Sequence, residues 1–160
     1  DLPGNVVILR GNHDYWWSSI SQVRAALPPS VRALQNDAVD AGGVVFAGTR
    51  GWVNPNEPGR TEQDRKIYLR EVGRMRLSLQ AAQKKAAGRP IIVLTHFPPF
   101  GDGNEESEMT LLLHEFGVQT IVYGHLHGPG LRGALDGEMN GVRYCLVSCD
   151  YLDFTVRKIL

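Results

Sequence analysis

The chain has 160 residues, 42% of them hydrophobic, which suits one domain with a sizeable core. Seventeen Lys and Arg balance seventeen Asp and Glu, so no basic field exists to hold nucleic acid or an anionic membrane by charge alone. No apolar run approaches a membrane span and no basic-then-apolar leader opens the chain, so no membrane partner is expected, and its two cysteines, read as reduced, point to a cytoplasmic protein.

Asp1-Leu2-Pro3-Gly4 reads as a turn leading straight into a buried-type strand, Val6–Leu9. A core strand so near a terminus that lacks Met predicts a single domain, 1–160, incomplete at its N-terminus. Arg10-Gly11-Asn12-His13-Asp14 is turn-prone. A helix follows, with Ser19 and Gln22 at capping-box spacing, an apolar stripe of Ile20, Val23 and Leu27, and Pro28-Pro29 as its stop. Short strands at 31–35, 38–40 and 44–48, joined by Asn36-Asp37 and Gly42-Gly43, predict an antiparallel meander. Residues 50–60, with Gly51, Pro55, Pro58 and Gly59 around Trp52, form a loop.

The longest helix is punctuated by Thr61 as N-cap, Glu62 and Asp64 in its first turn, Lys84 and Lys85 in its last, and Gly88 and Pro90 beyond. Tyr68, Val72, Met75, Leu79, Ala82 and Ala86 make one apolar stripe, leaving the intervening arginines to solvent. A second buried-type strand, 91–94, runs into Thr95-His96-Phe97-Pro98-Pro99, and Ser107 caps a short helix that carries His114 on its boundary. The strand Thr120–Tyr123 delivers Gly124-His125-Leu126-His127. Further strands are expected near 131–135 and 142–149, joined through Asp136-Gly137, with 154–160 as a closing strand. Cys145 and Cys149, four apart in a strand-like run, read as reduced core residues on one face; with no second cysteine pair, structural zinc is not expected.

Each of the strands 6–9, 91–94 and 120–123 is followed at once by a histidine. Strands separated by helices predict crossover units, and in parallel sheets the carboxyl ends share one edge, where ligand sites form. Asn12, His13, His96, His125 and His127 can therefore converge, whereas His114 cannot. In an extended segment His125 and His127 share a face and aim at one spot. Neutral imidazoles with an amide oxygen make a borderline donor set suited to Zn²⁺, Mn²⁺ or Fe²⁺. Asp14 beside His13 predicts another use: a carboxylate can orient a histidine and raise its pKa, so His13 is expected to donate a proton and not to bind metal.

Gly11-Asn12-His13-Asp14, His96 and Gly124-His125-Leu126-His127, in this order at strand ends, resemble the later motifs of the calcineurin-like metallophosphoesterase superfamily. The phrases at 9–17 and 48–52 are similar to a bacterial branch of phosphohydrolases within it, and the resemblance runs over essentially the whole chain. It implies an α/β fold, a four-layer αββα sandwich, here lacking its first strands. It implies two divalent ions, with Asn12, His96 and His125 on one and His127 on the other. His13, supported by Asp14, would protonate the leaving oxygen while a metal-bridging hydroxide attacks the phosphorus of a phosphoester substrate. The family's earlier motifs, an Asp-x-His and a Gly-Asp-x-x-Asp, are absent. With the bridging aspartate gone and only His127 left for the first ion, the 160-residue chain is expected to be inactive or nearly so.

Two alternatives share the fold. One is a protein-binding scaffold with a degenerate metal site, against which the intact trio of motifs argues. The other is a nuclease, which the neutral charge balance does not favour. Loops 50–60 and 97–104 are expected to line the site. Arg50 is a candidate phosphate contact, weighed against the plainer reading of a solvated loop arginine.

Overall fold

A computed structural model describes residues 4–160 of the chain. Strand β1 (Val6–Leu9) pairs in parallel with β2 (Val31–Leu34), Val6 lying opposite Val31 and Leu9 opposite Leu34. The crossover between them is α1 (Ile20–Ala26), whose N-cap Ser19 accepts the Gln22 N–H at 3.3 Å. A second sheet has six strands in the order β3 (Ala38–Ala41), β4 (Val44–Thr49), β5 (Ile91–Thr95), β6 (Thr120–Tyr123), β8 (Val142–Leu146) and β7 (Gly137–Met139). Its four central strands are parallel, and each edge strand is antiparallel to its neighbour.

Helix α2 (Glu62–Ala86) connects β4 to β5. The Thr61 and Asp64 side chains close a reciprocal capping box at its start, and Ala87 and Gly88, both at positive φ, end it. Helix α3 (Glu108–Glu115) connects β5 to β6 and begins with a similar box, Ser107 with Thr110. Most of the expected stripe on α2 is buried: Tyr68, Met75, Leu79, Ala82 and Ala86. Two polar residues, Glu71 and Ser78, share that buried face.

Period-two alternation separates the side chains into three cores that define four layers. Val45, Ala47, Val93, Ile121 and Tyr123 face α2 and α3. Val7, Leu9, Leu34, Phe46 and Leu94 fill the space between the two sheets. Ile8 and Ala33 turn the other way, onto Trp17 and Val23 beside α1. The order helix, six-stranded sheet, two-stranded sheet, helix is the expected αββα sandwich, with two strands in its smaller sheet. Among the described residues no helix is long and apolar enough to cross a membrane.

Several local expectations need correction. Residues 31–35 do not start an antiparallel meander: β2 joins β1, and the chain leaves it through Asn36 in the left-handed region (φ 60°) to enter the other sheet. The segment 131–135 is not a strand, because a 3-10 turn over Gly128–Leu131 occupies its start. The hairpin partner of β8 is β7, and the turn is Asn140-Gly141, both at positive φ as such a tight hairpin requires, not Asp136-Gly137. Residues 154–160 form no strand. The six-stranded sheet has no free edge for them beside β8, which is bonded to β6 and β7 on its two sides, and Arg157 ties the tail to Asp136 and the Leu146 carbonyl. Cys145 is buried in β8, but Cys149 lies beyond the strand and is exposed, so the two do not share a face of one element.

Gly48 is enclosed on both sides: an added Cβ would fall 2.1 Å from the carbonyl oxygen of Leu94 on the neighbouring strand of its own sheet and 3.1 Å from Leu34 Cδ2 of the other sheet. Gly48→Ala is expected to lower stability by about 1–3 kcal/mol or more, the range for overpacking. Urea denaturation followed by circular dichroism checks this; a midpoint equal to wild type would contradict the packing described.

Candidate metal centre

Asn12 stands three residues beyond β1 in the smaller sheet, whereas His96 and His125 follow β5 and β6 in the larger one. Stacking the sheets brings these ends together. His96 Nε2 lies 2.7 Å from Asn12 Oδ1 and 3.1 Å from His125 Nδ1. A single N–H satisfies such a three-atom contact poorly, while a divalent cation would meet an amide oxygen and two ring lone pairs at once. The three residues therefore fit one ion of the borderline class.

The backbone is shaped to hold this geometry. The Arg50 carbonyl accepts the N–H groups of both His96 and Phe97 at 3.0 Å, fixing the start of the β5 loop. Gly11 packs against the His96 ring, where a Cβ would sit 3.2 Å from Cε1. His125 is held at φ 73°, a left-handed conformation uncommon outside glycine, which turns its ring toward His96 instead of along the strand direction. Phe97, buried, stacks at 4.2 Å on the His125 ring and at 5.3 Å on Trp52.

Burial pushes the His96 pKa down to about 4, with the nearby His125 adding in the same direction and Asp14 opposing. Burial also lowers His125, assisted by His127 and His13. Both rings are thus neutral near pH 7, the form that offers lone pairs to a metal.

His13 is exposed at the rim, with Tyr15 edge-on at 6.1 Å. Asp14 does not orient it. One Asp14 oxygen accepts the Gly11 N–H at 2.6 Å and the other the Trp16 indole N–H at 2.9 Å, so the carboxylate closes its own turn, and among the described residues it makes no hydrogen bond to His13. His114 lies on α3 away from this edge, as expected.

His127 does not join His125. The positive φ of His125 breaks the alternation that would have kept the two on one face, and His127 is exposed, its Nδ1 2.8 Å from Asp150 Oδ1. Asp150 also accepts the Gly128 N–H at 2.9 Å and the Tyr151 N–H at 3.1 Å. The Gly128 N–H first, and then the His127 ring, hold its carboxyl below the ordinary range. Ligand atoms of His127, Cys149 and Asp150 lie within 4.8 Å of one another, so His127 is not without neighbours able to serve a second ion. Asp150 and Cys149 were missed from sequence, although the signal was there: they follow β8, which runs parallel to β6 and so delivers its end to the same edge.

The fold and this edge define a layered α/β protein with a candidate metal-ligand set at the carboxyl ends of its strands. The model of the calcineurin-like phosphoesterase family matches residues 1–129, and the chain belongs to that family of metal-dependent phosphoesterases. Asp150 lies beyond the matched residues. Comparison with curated proteins and with solved structures found no match.

A pH dependence follows from His96. The unfolded imidazole titrates near 6.5 and the folded one near 4, so between these values the unfolded chain takes up a proton that the native state refuses. The stability that the neutral His96 ring contributes to the metal-free protein is expected to be lost as pH drops from about 6.5 to about 4, below which depressed carboxyls such as Asp64, at about 2, carry the fall further. In His96→Gln the fall across this window becomes shallower, because one of the two imidazoles whose folded pKa is lowered is gone. Urea midpoints across that range test it; identical profiles for both proteins would contradict the neutral buried ring.

Proposed function

We propose that this protein is a phosphohydrolase that uses two divalent ions, Mn²⁺, Fe²⁺ or Zn²⁺, to cleave a phosphoester. The observation that carries the reading is the convergence of Asn12 Oδ1, His96 Nε2 and His125 Nδ1 within hydrogen-bonding distance, from two different sheets, at the edge where ligands bind in such folds. The ions, when bound, would activate water and neutralise charge developing on the phosphoryl oxygens.

The chain's own groups take the remaining tasks. Asn12, His96 and His125 hold one ion. Asp150 accepts from Nδ1 of His127, which fixes the tautomer and leaves Nε2 as the ligand atom for the other. His13, at the rim and near enough for its charge to be felt by both buried imidazoles, protonates the leaving oxygen. Its backbone is held by the turn that Asp14 closes, so Asp14 positions the loop and not the imidazole ring. The bridging aspartate of the resemblance belongs to a motif that these residues lack, and the 160 residues by themselves are proposed to turn over slowly or not at all.

Metal titration of the 160-residue chain by calorimetry should show Mn²⁺ or Zn²⁺ binding that His125→Ala weakens at least tenfold. Unchanged binding would remove these residues from the metal site. The same chain should hydrolyse p-nitrophenyl phosphate far below the rate of the full-length protein, and an ordinary metalloenzyme rate would overturn the proposed inactivity. In the full-length protein His13→Ala is expected to lower kcat by about 10²–10⁴, the usual worth of a general acid, with metal affinity unchanged. A kcat within threefold of wild type would remove the proton-donor role.

A further inference from the structure

Beside the metal edge is a cavity of about 60 Å³, well above the ~10–15 Å³ that one water needs. Three arginines line it: Arg10 at the end of β1, Arg50 after β4, and Arg74 on α2. The carboxylate that lines it, Glu71, is 1% exposed. Its hydrogen bonds are already committed to the Thr49 hydroxyl, the Gly51 N–H at 3.3 Å and Arg74 at 2.6 Å. One negative charge therefore faces three positive ones.

The donors left over are specific. Arg10 Nε is buried and has no hydrogen-bond partner, a state that costs free energy unless a ligand relieves it. The Arg50 guanidinium lies 4.5 Å over the Trp52 ring, a contact made through its face that leaves its N–H groups free. Among the described residues neither guanidinium donates a hydrogen bond. Burial lowers the Arg50 pKa, Glu71 opposes this, and Arg10, Arg74 and Arg70 reinforce it, the mark of crowded like charges. Solvent reaches the cavity past Arg74, whose side chain is 41% exposed.

The cavity also adjoins the chemistry. Arg10 is two residues before Asn12, the Arg50 carbonyl anchors the His96 and Phe97 N–H groups, and the Arg50 charge is felt at His96. Two planar guanidinium forks with a surplus of two positive charges suit a tetrahedral dianion better than a carboxylate. We propose that this cavity is a second phosphoryl subsite, binding a non-reacting phosphate of a substrate that carries at least two. The assignment rests on the reading of the neighbouring edge as a phosphohydrolase centre, and it supplies a substrate class for it.

The first test needs no metal. The EDTA-treated chain is titrated with inorganic phosphate at low ionic strength, by calorimetry and ³¹P NMR. One equivalent is expected to bind, at least tenfold more weakly in Arg10→Gln and in Arg50→Gln, and within twofold of wild type in His125→Ala. Should a Gln variant fail to fold by circular dichroism, Arg10→Lys and Arg50→Lys replace it; these keep the charge, lose the fork, and should still weaken binding. Absent binding, binding indifferent to Arg10 and Arg50, or a loss in His125→Ala equal to that in Arg10→Gln would overturn the subsite. In the second test, on the metal-loaded full-length protein, Arg10→Gln should reduce the kcat/KM preference for a bisphosphorylated over a monophosphorylated ester at least tenfold; an unchanged ratio overturns a substrate role. Lost phosphate binding with metal binding intact counts against the subsite alone, and the converse against the hydrolase reading alone.

Discussion

The candidate metal-ligand set is divided between two sheets, so the stacking of those sheets is the constraint on which the proposed site depends. Asn12 belongs to the end of β1 in the two-stranded sheet; His96 and His125 belong to the ends of β5 and β6 in the six-stranded one. The 2.7 Å contact between Asn12 and His96 survives only while Leu9 and Leu34 of one sheet stay seated on Phe46 and Leu94 of the other. Gly48 makes room at this interface, because its missing Cβ leaves space for the Leu34 side chain of the other sheet as well as for the Leu94 backbone of its own. An apolar interface thus does positional work for a polar site, as close-packed interiors can, since they shift little without a cost.

Helix α2 supplies a second level of control through the two polar residues on its buried face. Ser78 donates to the Asp37 carbonyl and accepts the Gly48 N–H at 2.7 Å, joining the start of β3 to the end of β4. About two turns earlier, Glu71 reaches Thr49 and the Gly51 N–H, fixing the segment from which the Arg50 carbonyl in turn holds His96 and Phe97. A chain of polar contacts therefore runs from the helix to the metal-ligand loop. Buried polar groups of this kind are costly unless fully partnered, and these two are partnered. Along the same segment, Arg50, Trp52, Phe97 and His125 form a continuous stack that covers one side of His125 and adds to the burial that lowers its pKa.

The two halves of Gly124-His125-Leu126-His127 have different fates for a local reason. A strictly extended segment would have presented both rings to one point. The left-handed turn at His125 ends the alternation, sending His125 inward to His96 and His127 outward to Asp150. Similar logic divides Cys145 from Cys149, because β8 stops at Leu146 and the later cysteine belongs to a loop.

Read alone, the amino-acid sequence determined what short-range physics controls. The caps at Ser19, Thr61 and Ser107, the apolar stripe of α2 and the buried-type strands 6–9, 91–94 and 120–123 are all legible as periodicity and hydrogen-bonding chemistry. The placement of a polar cluster at the end of each such strand followed from the same reading and led to Asn12, His96 and His125. Only the tertiary structure decided what depends on partners far along the chain. Residues 31–35 are legible as a strand, but the place in a meander expected for them is wrong, because alternation does not name the neighbour across the ladder. Glu71 and Ser78 lie outside the apolar stripe that periodicity marks, and only folding brings loop 49–51 and the Gly48 N–H to them; likewise only folding sets Trp52 against Arg50, for which the solvated reading is the plainer one in sequence. Asp14 adjacent to His13 looked like its support, yet the nearer Gly11 N–H and Trp16 indole took both oxygens. Neighbours in sequence compete for a side chain on equal terms with neighbours in space, and that competition is resolved only when the chain is folded.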